Sequence, residues 1–257
     1  MIVSVPVAYL YRYPTFDSEH VDDALYGTEV EVLDRLCGFA KIRTSYGYEG
    51  YIDENEIAEK LASPNRIITA PWADLKKSPE NYYAPVMALP MGSLVDVGFS
   101  KEIPRHAMVV LPDKRMFYIR LEDLGEIPVF KDEETARETI CRYALSFMGT
   151  QYRWGGRTHD GVDCSGLAFT AYQMAGITIW RDADIDRTPG MKKIPLDDAK
   201  KGDLFFFPGH VAVCIGGKKF VHSSSGRNFV GINSLDPNDP DYSEWYLNNL
   251  KCVGTMF

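Results

Sequence analysis

The sequence predicts an α+β protein: a helix-then-sheet domain over residues 127–257, preceded by two small all-β units over 1–62 and 63–126. Three observations predict it. The first 125 residues are short alternating segments broken by Gly, Pro, Asp and Asn, the pattern of small β units. They also carry a weak internal repeat. Gly27-Thr28-Glu29-Val30-Glu31-Val32 matches Gly92-Ser93-Leu94-Val95-Asp96-Val97, and Tyr51-Ile52 with Ile57 matches Tyr118-Ile119 with Leu124. The internal distances agree, at 24 residues from Gly27 to Tyr51 and 26 from Gly92 to Tyr118. Third, the apolar period switches to that of a helix after Gly125-Glu126-Ile127-Pro128.

In chain order, Met1 to Pro6 reads as a strand rather than a secretory signal, because no basic segment precedes an apolar one. Ala62-Ser63-Pro64-Asn65 reads as a linker between the repeats. From Lys131 to Met148, apolar Ala136, Ile140, Ala144, Leu145 and Met148 keep helical spacing, with Asp132, Glu133 and Glu134 where acids suit the helix dipole. Gly149 ends that helix. Gln151-Tyr152-Arg153-Trp154-Gly155-Gly156 reads as a loop, with Trp154 expected in the core. A second helix opens at Cys164, runs through Leu167, Ala168, Ala171, Tyr172 and Ala175, and closes at Gly176. Leu204 to Phe207, a Pro-Gly turn and His210 to Ile215 read as strands, with a hairpin turn at Gly216-Gly217 and a return strand from Lys219.

Apolar residues are 45% of the 257 and charged residues 25%, which suits a soluble globular chain with a sizeable core. A formal net charge of -8 disfavours nucleic acid and anionic membrane surfaces as partners. No apolar run is long enough for a spanning helix. Cys37, Cys141, Cys164, Cys214 and Cys252 are odd in number, scattered and without a CxxC pair, so disulfide and zinc-knuckle frameworks are not expected. Free cysteines and no visible signal favour the cytoplasm, or an exported location if a signal has been removed.

Cys164, His210 and His222 form the candidate engine. A thiol is a nucleophile as thiolate, with a free pKa of about 8.5. A helix N-terminus and a nearby imidazole are both expected to lower that value, and Cys164 is predicted to head a helix. Its neighbours Gly161, Asp163, Ser165 and Gly166 suit a nucleophile better than a core filler. Gly166 is expected to let a substrate approach the backbone, and the first N–H groups of the helix to hold an oxyanion. A hairpin folded at Gly216-Gly217 sets His210 beside His222, which then fixes its tautomer and orientation.

Gly155-Gly156-Arg157, Asp163-Cys164-Ser165-Gly166-Leu167, Gly202-Asp203-Leu204-Phe205-Phe206, Gly209-His210-Val211-Ala212-Val213 and Phe220-Val221-His222-Ser223-Ser224 together resemble the NlpC/P60 peptidases of bacterial cell-wall peptides. The resemblance covers roughly residues 130–257. It implies a papain-like domain with Cys164, His210 and His222 as its catalytic triad. Val5 to Asn55 resembles a bacterial SH3 (SH3b) domain, and residues 64–125 look like a second, diverged one. This arrangement is similar to the murein-peptide-recycling subgroup of the dipeptidyl-peptidase VI type. The resemblance then implies hydrolysis of the γ-D-glutamyl–diamino acid bond in murein peptides with a free N-terminal L-Ala, without metal or cofactor; the oligomeric state stays open, with a monomer the default expectation. It further implies that the first SH3-like module closes the amine end of the pocket. Glu19 aligns as the acid and Tyr48, or else Tyr51, as the tyrosine. Tyr152 and Ser165 match positions that contact D-Glu, Asp163 is the peptidase-domain acid for the ammonium, and Asp182 is expected as a further lining residue. Gln151 and Arg153 depart from the family's usual proline and apolar residue, which bears on loop conformation.

Blander readings stand beside these. Tyr48 and Tyr51 equally read as strand residues packing their module, Glu19 as a solvated acid, Tyr152 as a loop support and Asp163 as a helix cap. Three other functions also remain open: a wall-peptide-binding protein with an inert catalytic domain, an acyltransferase using the same thioester, and a zinc site on Cys164, His210 and His222.

Overall fold

The computed structural model describes residues 1–80 and 82–257. The chain divides into two compact units, Met1–Pro128 and Val129–Phe257. The sequence placed its boundaries between 62 and 63 and between 126 and 127.

The first unit contains two separate apolar cores. One gathers Val3, Ala8, Leu10, Ala24, Val30, Ala40, Ile42, Ile52 and Ile57 around a five-stranded antiparallel sheet. The other gathers Ile68, Ala73, Leu75, Leu89, Val95, Val97, Ala107, Val109, Phe117 and Ile119, with Tyr26 contributed from the first. The sequence repeat is also a repeat of local structure. Gly27 and Gly92 both hold positive φ, at 80° and 90°, before their strands. Tyr51-Ile52 and Tyr118-Ile119 both lie in strands, each followed by a short 3₁₀ turn, Glu54–Glu56 and Leu121–Asp123. Gly27 also sits where a Cβ would lie 2.1 Å from the Leu94 carbonyl oxygen, so the repeats meet backbone to side-chain-free backbone. Met1 to Pro6 is strand only at Ile2–Val3.

The second unit is a six-stranded antiparallel sheet with three helices. In spatial order its strands are Lys192–Ile194, Cys252–Thr255, Leu204–Phe207, His210–Gly216, Lys219–Ser224 and Phe229–Ser234. Helix α1 (Glu133–Ser146) starts at Asp132, whose carboxylate accepts from the Thr135 N–H at 2.8 Å. Helix α2 (Cys164–Gln173) starts at Asp163, packs against α1 and the His210–Gly216 strand, and is buried from Cys164 to Tyr172. That burial explains its run of small and apolar residues, which shows little amphipathic contrast. Helix α3 (Glu244–Asn249) lays Tyr246 and Leu247 against Phe205, Phe207, Ala212, Cys214 and Phe220. Arg137 ties α1 to the sheet: it donates to Asp203 at 2.9 Å, to the Lys201 carbonyl at 2.6 Å and to Thr255 Oγ1 at 3.3 Å. Among the described residues no helix is long and apolar enough to cross a membrane.

Candidate active site

The candidate nucleophile, Cys164, heads α2. Asp163 caps the helix by accepting from the Gly166 N–H at 2.6 Å, which leaves Cys164 as the first helical residue. Sγ of Cys164 faces the backbone N–H groups of Ser165 and of Val211, the residue next to His210. The helix start and the start of the histidine strand therefore converge on the sulfur.

The histidine hairpin works through an irregularity invisible in the sequence. Its turn is Gly217-Lys218, because Gly216 pairs with Lys219, rather than the expected Gly216-Gly217. Continued regularly, that register would put His210 and His222 on opposite faces, since side chains alternate along a strand. A bulge between Cys214 and Gly216 shifts the pairing to Cys214–Phe220 and Val213–Val221. Both histidines then share one face as diagonal rather than directly opposed neighbours. His210 Nε2 lies 2.9 Å from His222 Nδ1, and His222 Nε2 lies 3.1 Å from Asn233 Oδ1.

Burial dominates the electrostatics. Desolvation, with Asp163 second, pushes the Cys164 thiol up to about 12, against the lowering by the Val211 and Ser165 N–H groups and by Arg181. Desolvation and the neighbouring His222 push His210 down to about 3, and desolvation takes His222 to about 4. The expected lowering of the thiol by the helix N-terminus is present but outweighed. A helix end contributes at most about 2 kcal/mol, whereas full burial can move a pKa by about 3–5 units. Burial thus drives both the Cys164 thiol and the His210 imidazole toward their neutral forms.

Asp163 is the hub beneath the sulfur. Oδ1 accepts from the Gly166 N–H, Ser165 Oγ at 3.1 Å and Arg181 at 3.1 Å. Oδ2 accepts from the Gly155 N–H at 2.8 Å and Arg181 at 3.0 Å. The cap reading of Asp163 holds, and its oxygens already serve five donors, so a substrate ammonium would have to displace one of them. Ser165 Oγ is likewise engaged, donating to Asp163 and accepting from Arg181 at 2.9 Å.

A family comparison decides the wider assignment. The NlpC/P60 family profile matches residues 149–249. A dipeptidyl-peptidase 6 from Lysinibacillus sphaericus is 36% identical across 100% of this chain and 99% of its own. The chain belongs to the NlpC/P60 family. A γ-D-glutamyl-L-lysine dipeptidyl-peptidase from Bacillus cereus is 29% identical over 87% of this chain and 72% of its own. The crystal structure of an NlpC/P60 family protein from Bacillus cereus shares the fold, with TM-score 0.80, 22% identity and coverage of 98% of this chain and 97% of that one. The bacterial SH3 profile matches residues 6–58. One such domain is matched where the sequence reading expected two, so the second module rests on the repeat alone.

Within the NlpC/P60 unit, Tyr152 lies in the field of Cys164 and Asp163, and burial with those two groups pushes its phenol up to about 12. Asp182 is exposed, next to the buried Arg181. Trp154, expected in the core, is 59% exposed. A tight Gly155-Gly156 turn tied to Asp163 leaves the preceding ring outside. Gly166 has a different role from the expected one: a Cβ there would lie 2.2 Å from the Gly156 carbonyl oxygen, so it admits the neighbouring loop rather than a substrate. Arg153 explains Gly161, where a Cβ would meet its Cβ at 2.6 Å, and the Gly161 carbonyl explains Gly156, where a Cβ would lie 2.4 Å from its oxygen.

In the first unit, Glu19 is an exposed acid paired with Arg12 at 2.7 Å. Tyr48 packs on the first core and Tyr51 pairs with Tyr11 in the sheet. The fully buried acids there are Asp22 and Asp23, with the Tyr46 hydroxyl on Asp22 at 2.5 Å and His20 on Asp23 at 3.1 Å. Sequence reading passed over Asp22 and Asp23, although two acids inside Val21-Asp22-Asp23-Ala24-Leu25 are a recognisable signal. It also passed over Arg181, Asn233 and Tyr246, whose hydroxyl lies 3.4 Å from His222 Nδ1. Nothing local marks these three, because their partners are distant in sequence.

Proposed function

We propose that the chain is a cysteine peptidase that hydrolyses the γ-D-glutamyl–diamino acid bond of murein peptides with a free N-terminal L-Ala, releasing L-Ala-γ-D-Glu. The observation that carries the chemistry is the sulfur at the head of α2, facing the Val211 N–H beside His210, with His210 in turn bonded to His222. The γ-glutamyl reading is supported by the names of the dipeptidyl-peptidase relatives.

A neutral pair sets the order of events. Cys164 passes its proton to His210 Nδ1 as the sulfur attacks the γ-carbonyl carbon, so charge develops during attack rather than before it. The oxyanion of the tetrahedral intermediate is received by N–H groups at the start of α2. His210 then gives the proton to the departing amine, leaving a thioester on Cys164. Water attacks the thioester, His210 takes its proton, and the thiol is restored as the dipeptide leaves. His222 steadies the transient imidazolium by accepting from His210 Nε2.

Incubation with L-Ala-γ-D-Glu-meso-diaminopimelate and with its N-acetylated form tests this reading. Cleavage of the first alone is expected. Equal cleavage of both removes the free-amine requirement, and cleavage of neither removes the substrate. Glu19→Gln, Tyr48→Phe and Tyr51→Phe, each compared on the free peptide, test the residues aligned with amine recognition: the residue that matters raises KM.

A further inference from the structure

We infer that Asn233 is a positioning residue of the reaction, the group that sets the tautomers of both histidines. The argument starts at the backbone. The side-chain NH₂ of Asn233 donates to the Asp241 carbonyl at 2.9 Å. A carbonyl oxygen only accepts, so the amide orientation is determined, and Oδ1 must face His222. Oδ1 is itself only an acceptor, so the His222 nitrogen 3.1 Å away, Nε2, carries the hydrogen. Nδ1 of the neutral His222 ring is then a lone pair. His210 Nε2, 2.9 Å from that lone pair, carries its hydrogen in turn. The only lone pair left on the His210 ring is at Nδ1, the nitrogen required to take the thiol proton. The Tyr246 hydroxyl, 3.4 Å from His222 Nδ1, agrees with an acceptor there.

The chain of donors therefore runs one way, from His210 through His222 to Asn233, and ends on a peptide carbonyl. Asn233 is 2% exposed and His222 is 0% exposed, so water does not substitute for either partner. In the sheet, His222 pairs with Gly231, two residues before Asn233 on the same strand. Side chains two apart share a face, which sets the Asn233 amide diagonal to His222. Without an acceptor at 233, either His222 nitrogen can hold the hydrogen, and the form bearing it on Nδ1 turns His210 the wrong way round. Asn233 is neutral, so it directs the proton without adding a charge; burial keeps both rings uncharged.

This inference rests on the peptidase reading, but its first test needs no substrate. Long-range proton–nitrogen correlation spectra of uniformly labelled, full-length protein near neutral pH report which ring nitrogen bears hydrogen. Both His210 and His222 are expected as the Nε2–H form. Hydrogen on Nδ1 of either ring overturns the inference, whatever the protein cleaves. Kinetics give the second test. Asn233→Leu, close in shape but without the acceptor, is expected to lower kcat by about 10²- to 10⁴-fold with KM nearly unchanged. It should also add an Nδ1–H population at His222. Asn233→Asp keeps the acceptor and is expected to recover most of kcat. A folded Asn233→Leu protein with wild-type kcat, or equal losses in Leu and Asp variants, refutes the positioning role. If Asn233→Leu does not fold, the wild-type spectrum alone decides. Correct tautomers without cleavage of the murein peptide would instead condemn the substrate reading.

Discussion

Asp163→Asn probes the buried ion pair next to Cys164. In the native site Asp163 and Arg181 meet through two contacts, at 3.1 and 3.0 Å, with side chains only 8% and 1% exposed. Breaking such a pair from one side takes a counter-charge away from a buried guanidinium, a cost of about 3–5 kcal/mol. Asparagine caps helices about as well as aspartate, so the start of α2 should survive and the loss should report the ion pair. On a domain of this size that corresponds to a fall in unfolding midpoint of roughly 10 °C or more. The same change removes the negative charge that raises the Cys164 thiol and keeps the cation that lowers it. The variant should therefore be less stable yet alkylated faster by iodoacetamide at neutral pH. Urea unfolding and alkylation kinetics measure the two effects, and Arg181→Met supplies the double-mutant cycle. Removing both charges should cost much less than the sum of the single changes. An Asp163→Asn protein within about 1 kcal/mol of wild type, or strictly additive costs, would refute the buried-pair reasoning.

Three further outcomes follow from the site. The folded pKa of His222 is lowered from 6.5 to about 4, so the unfolded chain binds its proton first. Its contribution to stability is then complete above 6.5 and declines as pH falls toward 4, by up to about 1.4 kcal/mol per unit, and His210, lowered to about 3, adds a similar slope; denaturant titrations at stepped pH should show this decline. Because the Cys164 thiol is raised from 9.0 to about 12, alkylation should accelerate with pH beyond 9; a flat rate from mild acid to neutrality would indicate a standing thiolate–imidazolium pair. Gly166→Ala places a methyl 2.2 Å from the Gly156 carbonyl, and calorimetry should show a loss of about 1–3 kcal/mol or more; wild-type stability would contradict the close approach.

Much of this protein is written locally. The α2 start follows from Asp163 before an apolar run, and the turns at Gly149, Gly176 and Pro208-Gly209 follow from residues that accept or impose unusual backbone geometry. The repeated Gly-x-x-Val-x-Val and Tyr-Ile pairs located equivalent turns and strands in both halves of the first unit. The catalytic candidates were legible for the same reason: a cysteine among glycine and polar residues, and two histidines on adjoining strands.

Long-range packing decided the rest. One extra residue in the hairpin determines whether two histidines share a face, and no local pattern distinguishes Gly217-Lys218 from Gly216-Gly217 as its turn. Gly166 looked like an opening for substrate and is instead filled by the Gly156 carbonyl. The charge state of the thiol likewise turned on burial, which is a sum over atoms from the whole unit, while the sequence shows only the helix end and the imidazole. Arg181 and Asn233 became visible only when folding closed them onto Asp163 and His222. A chain declares its turns and helix caps through near neighbours; the field and proton positions at a reactive atom are set by groups that meet only in three dimensions.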